Sequence, residues 1–563
     1  MSELSLLWPD GQPTATWDVS PETIRDLELE AIVQAMCSHR SYRDAVRDVL
    51  FRLCREKETI GYRQIVLSDL QAQPTLAERL KSLLPLLDEL TQFTYRQIGK
   101  GNPLQEVVAR ARELELLVEI VQQLHEAFSA VSTPLQSTGL LALRERIASL
   151  VSDRQFQEMV KDLPALLEAL RSHASVTIGV NLDHHLRPEA AVLLAVNEKR
   201  FTNSSLLDRL LGKDMGEGSG IAPLHRPPVL GGESSRTTSG QRKRLDPLML
   251  PLFKDLSKVL QKVSEPVAQE LKKYVQINGR FLADLRTEII FYVQALGLIK
   301  ELQAAGMTLT YPEIGQAEER VCQVKAAYNL QLAIQKRSAR SARPASAHIV
   351  TNDIAFGEDG RIAILTGPNQ GGKTTYMQSI GLVQVLAQAG LPVPGEAARM
   401  SPVDTIYTHY PVEEQLELGT GRFGDEAQRI RAIFEKVTRY SLVLLNESLS
   451  TTSMGEGIYL ARDIVRALRQ IGLRAVFTTH MHELAAAAGE INAETVGDSA
   501  VFSLVASKPD AAMRPDEVYS YQIQPGPPLG RSYAEHIAAR YGISDEQLQA
   551  LLEERDLFSD GRR

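Results

Sequence analysis

At 563 residues the chain exceeds one ordinary domain, and its 44% hydrophobic and 23% charged residues fit a soluble, globular chain and exclude a disordered one. The net charge of −8 gives no global sign of a nucleic-acid partner, although a basic stripe on one face can hide in such a total. Cys37, Cys54 and Cys322 lack metal-ligand spacing, no apolar run reaches the ~18 residues needed to span a bilayer, and the opening MSELSLLWPDGQ lacks a basic, then apolar leader, so the expectation is a reduced, cytoplasmic protein without membrane contact.

Residues 1–205 predict a helical, core-like region. Leu27, Ile32 and Val33, then Leu76, Leu80, Leu83, Leu84, Leu87 and Leu90, recur three and four apart, and Pro85 is expected to kink or split the second helix. Within 175–201, Val176, Ile178, Val180 and Leu182 alternate before a turn-like LRPE and a second apolar run, which predicts a hairpin. Residues 206–250 read as a flexible linker or loop, because glycine, proline and serine dominate from Lys213 to Asp246. It ends in Arg242, Lys243 and Arg244, either a solvated triplet or a phosphate-contacting patch.

Residues 251–340 predict long lever helices. Val267, Leu271, Val275, Leu282, Leu285, Ile289, Val293, Leu296 and Ile299 keep one apolar face, Pro266 and Gly279 break the segment, and Gly306 stops it. After Tyr311-Pro312 a further helix is expected as far as Gln335. No internal repeat of solenoid or propeller period occurs.

Residues 341–545 carry the chemistry. Ile362 to Leu365 enter as a strand would, and TGPNQGGKTT follows: Gly367, four residues, then Gly372, Lys373 and Thr374. A loop wrapping polyphosphate must turn its N–H groups inward, and Gly371 and Gly372 permit that approach. Lys373 can set its ammonium between the β- and γ-phosphates, and Thr374 can offer a hydroxyl to Mg²⁺ at the start of the helix expected over 376–389. The spacing therefore predicts a nucleoside-triphosphate site. A second buried-strand run, 441–445, ends in Asn446-Glu447, where Glu447 can take a proton from an attacking water or orient it; a third, 475–477, ends in Thr478-Thr479-His480, placing an imidazole at the matching sheet edge. Residues 546–563 complete the chain as a helix and tail.

The ordered set resembles the MutS family of DNA mismatch-recognition ATPases, within the wider ABC class. NDIAFGEDGRIAILTGPNQGGKTTYMQ, PVDTIYTHYPVEEQL, YSLVLLNESLSTTS, FTTHMHEL and QPGPPLGRSYAEHIAARYGI look like its P-loop entry, pre-signature stretch, Walker B and D-loop, His switch and closing motif. More loosely, DLELEAIV and TIGYRQIVLSDL resemble the start of its helical core, and 251–306 stand where its levers would be. Nothing resembles its mismatch-reading domain or the nuclease domain of its second branch; Phe356-Gly357-Glu358 matches the Phe-x-Glu wedge only by coincidence, just before the loop.

This resemblance implies a multidomain α and α/β fold in which a helical core and lever region precedes an ABC-type P-loop ATPase domain. It implies ATP and Mg²⁺ as cofactors and DNA and a second copy of the chain as partners. Gly367, Pro368, Asn369, Gly371, Gly372, Lys373, Thr374 and Thr375 would form the phosphate loop, with Asn369 near the attacking water. Glu447 would be the general base, His480 the γ-phosphate sensor, and Thr374 and Asn446 the metal ligands. Tyr521 would lie near adenine, and His348 or Ile349 on its opposite face. Two positions depart from the family: Asn446 replaces the Walker B aspartate, and Gly421-Arg422-Phe423 replaces the signature Ser-Thr-Phe. Two alternatives stay open: a nucleotide-gated clamp with little turnover, and an ABC-type ATPase acting on a protein.

Overall fold

The computed structural model describes residues 4–95, 103–171, 175–182, 184–185, 188–197, 202–203, 219–220, 265–337, 349–411, 422–449, 453–506, 520–528, 542 and 544–554. In chain order the helices are α1 (Pro21–Asp26), α2 (Leu29–Met36), α3 (Arg43–Leu50), α4 (Lys57–Ala72), α5 (Pro74–Thr94), α6 (Pro103–Ser129), α7 (Thr138–Ser152), α8 (Arg154–Arg171), α9 (Arg280–Ala304), α10 (Leu330–Arg337), α11 (Lys373–Gln388), α12 (Arg422–Phe434), α13 (Met454–Ile471), α14 (His482–Ala486), α15 (Ala488–Glu494) and α16 (Asp545–Glu554). The strands are β1 (Thr16–Asp18), β2 (Arg52–Cys54), β3 (Ser175–Leu182), β4 (Pro188–Asn197), β5 (Thr202–Asn203), β6 (Ser219–Gly220), β7 (Leu309–Thr310), β8 (Glu313–Ile314), β9 (Cys322–Ala327), β10 (Asn352–Phe356), β11 (Ile362–Thr366), β12 (Val393–Pro394), β13 (Ala397–Met400), β14 (Ile406–His409), β15 (Leu442–Asn446), β16 (Arg474–Thr479), β17 (Val501–Ala506) and β18 (Ile523–Pro525). Among the described residues no helix is long and apolar enough to cross a membrane.

The chain divides into two units. One comprises Met1–Ala77, Ser132–Leu141 and Thr287–Arg563; the other comprises Glu78–Val131 and Ala142–Arg286.

The second unit is helical with one hairpin. The leucine stripe of α5 is buried from Leu80 to Leu90, and Pro85 sits inside this helix without splitting it. Arg112 on α6 reaches Glu89 of α5 with two hydrogen bonds of 2.8 Å. Just before α9, a Cβ at Gly279 would meet Leu90 Cδ1 at 2.9 Å, so a side chain there would have to displace the leucine tip. Strands β3 and β4 pair antiparallel, as their alternation predicts. The expected linker, with Arg242, Lys243 and Arg244, lies outside the described residues except for 219–220.

The first unit is built on a six-stranded sheet of order β14-β15-β16-β11-β17-β18, parallel except for β18. Strands β11, β15 and β16 are buried on both faces, which is why each reads as a continuous apolar run. One face packs Ile362, Ile364, Val443, Leu445 and Phe477 against Ala461, Val465 and Leu468 of α13 and Leu484 of α14. Helix α11 is buried nearly all round; at Gly381 a Cβ would meet Leu27 Cδ2 at 2.7 Å, so the segment joining α1 and α2 packs directly on this helix.

One expected element is overturned. Residues 312–335 are not one helix: β8, a 3₁₀ turn over Ala317–Glu319 and β9 precede α10. Cys322 and Val324 of β9 are buried while Gln323 and Lys325 face outward, a period of two, and β9 lies between β10 and β13 in a four-stranded sheet. Among the described residues of 251–340, α9 ends at Ala304 and α-helix returns only at α10. Phe356, the first residue of the coincidental wedge motif, is fully buried against Phe502.

Arg474, at the start of β16, is buried completely and donates to the carbonyls of Val321 (2.7 Å), Ser401 (3.1 Å) and Pro402 (3.4 Å). Arg474→Met removes the donor and leaves these acceptors buried, so it should lower the unfolding free energy by about 2 kcal/mol in urea melts. Unchanged stability would mean that relief of guanidinium desolvation cancels the lost bonds.

Candidate functional site

The parallel register brings the carboxyl ends of three strands together. Thr366 lies opposite Thr479, and Asn446 opposite Thr478, so whatever follows β11, β15 and β16 emerges at one edge. From β11 emerges the glycine-rich loop. Gly367 (φ 147°), Gln370 (φ 64°) and Gly372 (φ 87°) have positive φ, and the Gly371 N–H closes a turn onto the Pro368 carbonyl at 3.2 Å. A Cβ on Gly367 would lie 2.6 Å from the Ala506 Cβ, and one on Gly371 3.0 Å from the Pro368 oxygen. Gly367 leaves no room for a side chain, and Gly371 could take one only if its neighbours gave way. Helix α11 starts directly at Lys373.

Lys373 is buried, and its Nζ donates to the carbonyls of Gly367 and Pro368, both at 3.0 Å. It lies 3.4 Å from His480 Nε2 and 3.6 Å from Glu447 Oε1. Burial pushes its pKa down, and the Glu447 carboxylate opposes that shift. Glu447 Oε1 is in turn 3.0 Å from His480 Nε2. The hydrogen bond with His480 holds the Glu447 carboxyl below its usual range; burial pushes the other way, and Lys373 adds to the lowering. Asn446 Oδ1 accepts from Thr478 Oγ1 at 2.7 Å and from Thr374 Oγ1 at 3.3 Å.

These groups border a cleft of about 440 Å³. Pro368, Asn369, Gly371, Gly372, Lys373, Thr374, Thr375, Glu447 and Tyr521, all singled out in the sequence, line it, as does Ile349. His480 and Asn446 reach it through their bonds to Glu447 and Thr374. Tyr521, half exposed at φ 54°, is held by Asn352, which donates to its carbonyl at 3.0 Å and accepts from the Ile523 N–H at 2.7 Å. His348, Gly421 and the side chain of Arg422 lie outside the described residues. Among the described residues no group of three or more His, Cys, Asp or Glu could hold a metal ion.

Sequence reasoning missed several contributors. Asn352 opens the stretch that resembles the family's P-loop entry but has no role assigned by it, and the Tyr328-Asn329 pair on the cleft wall belongs to no motif and falls where the spacing predicts a helix. His409 and Glu426 contact the turn beyond Glu447, from a strand and a helix distant in sequence. The signals were the adjacency of Ser448 and Leu449 to Glu447 and the place of His409 in the stretch that resembles the family's pre-signature segment.

The fold and this sheet edge define a class: an α/β domain whose glycine-rich loop, buried lysine and strand-tip carboxylate face one cleft, after a largely helical region. Residues 363–553 match the family MutS domain V, and residues 55–305 match the MutS2 N-terminal domain. The chain belongs to the MutS family. It is 31% identical over 291 residues to Endonuclease MutS2 of Thermus thermophilus, covering 51% of this chain and 36% of that protein. It is 26% identical over 505 residues to DNA mismatch repair protein MutS of Prochlorococcus marinus, covering 88% and 52%. With Endonuclease MutS2 of Thermomicrobium roseum it shares 26% over 501 residues, covering 84% and 59%. The chain thus spans between about a third and three-fifths of the length of these relatives.

The lowered Glu447 pKa has a stability consequence. A carboxyl depressed by a native contact stabilises the fold above the unfolded value, and that contribution is lost as pH falls through the folded value. His480→Ala removes the main cause. Denaturant melts should therefore show a loss of stability at pH 7 that shrinks as pH is lowered below the ordinary carboxylate range. An equal loss at every pH would show that the contact does not depend on the carboxylate charge.

Proposed function

We propose that this chain is an ATP-dependent DNA-binding ATPase of the MutS type, acting in the cytoplasm in mismatch repair or a related repair or recombination process. The observation that carries this reading is the convergence of the Gly367–Gly372 loop, the buried Lys373 and the Glu447–His480 pair on one cleft. A loop that crowds out Cβ atoms at Gly367 and Gly371 brings backbone N–H groups close to a bound anion, and a buried ammonium beside it, whose desolvation Glu447 offsets only in part, gains further counter-charge from polyphosphate.

In this reading Lys373 exchanges its two carbonyl acceptors for β- and γ-phosphate oxygens. Glu447 orients the attacking water or accepts its proton, and His480 holds the carboxylate in place and senses the γ-phosphate. Asn369 lies in the loop near that water, and Tyr521 borders the base. Thr374 and Asn446 fit a hard cation through their oxygens; Mg²⁺ held there would neutralise charge on the transferring phosphoryl group. Asn446 brings a carbonyl dipole where a carboxylate would bring a full charge. This favours a second, slower reading, a nucleotide-gated clamp with little turnover.

Two copies would share each nucleotide, with the segment around Gly421 and Arg422 of one copy facing the phosphate loop of the other, so ATP would stabilise the closed pair by its differential affinity. DNA binding rests on family membership and on the relatives named for mismatch repair. The ligand would be a distorted or branched duplex held through its backbone, which predicts a steep negative salt slope in filter binding; a flat slope would point to a protein partner.

The chemistry is tested by substitution. Glu447→Gln should keep ATP binding near that of the parent and depress hydrolysis by about two orders of magnitude or more, whereas Lys373→Ala should weaken binding itself. Parental turnover in Glu447→Gln would remove Glu447 from the mechanism. Asn446→Asp should lower the Mg²⁺ concentration needed for half-maximal nucleotide binding and hydrolysis, measured by fluorescent-analogue titration and phosphate release. An unchanged Mg²⁺ dependence would place Asn446 away from the metal.

A further inference from the structure

The turn that carries Glu447 is strained. Glu447 has φ 49° and Leu449 φ 66°, both in the left-handed region where a residue with a side chain is disfavoured by about 1–2 kcal/mol. Such a turn persists only when its surroundings over-determine it.

Three sets of contacts do so here. The Glu447 N–H donates to the Thr478 carbonyl at 3.0 Å and to Thr478 Oγ1 at 3.2 Å. Ser448 Oγ shares a hydrogen bond of 2.7 Å with His409 Nδ1, at the end of the edge strand β14. The Leu449 N–H donates to Glu426 Oε1 at 2.7 Å, on the second turn of α12. His409, Ser448, Glu426 and Leu449 are all buried, and none of them lines the cleft. Burial, helped by nearby Arg429, pushes the His409 pKa down to about 4, so at neutral pH the ring is uncharged and serves as a hydrogen-bonding strut. Its Nε2 has no partner among the described residues.

We propose that His409, Ser448 and Glu426 are positioning residues, a clamp on the strained Glu447–Leu449 turn that aims the Glu447 carboxylate into the cleft. The inference rests on the reading of Glu447 as the group that orients or deprotonates water. The peptide direction at Glu447 is set by the next two residues; with them anchored to β14 and α12, the carboxylate keeps its place beside Lys373 and His480. Without the anchors the turn relaxes toward right-handed φ and the carboxylate swings away. The clamp also ties the base to α12, whose first residue is Arg422. The aim of the base therefore depends on the helix that follows the segment proposed to meet the second copy.

The test measures steady-state ATP hydrolysis and binding of a non-hydrolysable ATP analogue on the full chain. Ser448→Ala and Glu426→Ala should each lower kcat about 10- to 100-fold, with the analogue Kd within about twofold of the parent. Ser448→Thr keeps the hydroxyl and should recover most of the rate. In a Glu447→Gln background Ser448→Ala should cost nothing further, because the clamp acts only through that carboxylate. Parental kcat in both alanine variants overturns the proposal, as does a matching loss of analogue affinity or a full additional loss in the Glu447→Gln background. If Glu447→Gln itself turns over at the parental rate, the assignment of the base falls, and the clamp with it.

Discussion

The burial of the Lys373 ammonium is the constraint on which the site depends. A cation taken out of water must find oxygen or nitrogen partners, or its desolvation is uncompensated. Two of the partners are carbonyls of its own loop, which forces the backbone from Gly367 to Gly372 to fold back over the side chain. The others, Glu447 and His480, come from the tips of β15 and β16, and they reach it only because the parallel register ends those strands level with β11. Loop shape, strand register and carboxylate position are therefore parts of one solution.

The same edge shows how much rests on groups that carry no charge. Asn446 Oδ1 gathers the hydroxyls of Thr374 and Thr478, linking the start of α11 to two strand tips. A carboxylate could accept the same two bonds and would also place a negative charge about one residue from Glu447. Asparagine keeps the geometry and omits that repulsion, at the expense of affinity for a divalent cation. The left-handed turn that follows is held by the uncharged His409 ring on Ser448 and by the Leu449 N–H, which donates to the Glu426 carboxylate.

Much of this was legible in the sequence, for a local reason. The phosphate-type loop, the apolar runs of β11, β15 and β16, and the polar residues at their ends are contiguous stretches in which backbone conformation is set by residue type. The leucines of α5 likewise announce their buried face by period alone. Legibility failed where partners are remote. Residues 312–335 contain Cys322 and Val324 at a strand period and Leu330 and Ala333 at a helical one, and the choice was made by β10 and β13 on either side of β9. Nor did chain order reveal that α1 packs with the α/β part: Thr23 donates to the Ile406 carbonyl, Asp26 accepts from Thr408, and Leu27 fills the space left by Gly381. Domain limits drawn along the sequence put those residues with the helical region.

By itself, the sequence determined which residues could do phosphate chemistry and which segments would be buried, because glycine conformational freedom, side-chain charge and apolar period are properties of the residues themselves. Only the tertiary structure decided that Lys373, Glu447 and His480 stand within 3.6 Å of one another in their pairings, that Asn446 Oδ1 accepts from the Thr374 and Thr478 hydroxyls, and that His409 and Glu426 grip the turn beyond Glu447. Those contacts join residues separated by up to 107 positions, and nothing in local propensity can specify them. They follow from strand order and register, which are set by the whole core at once.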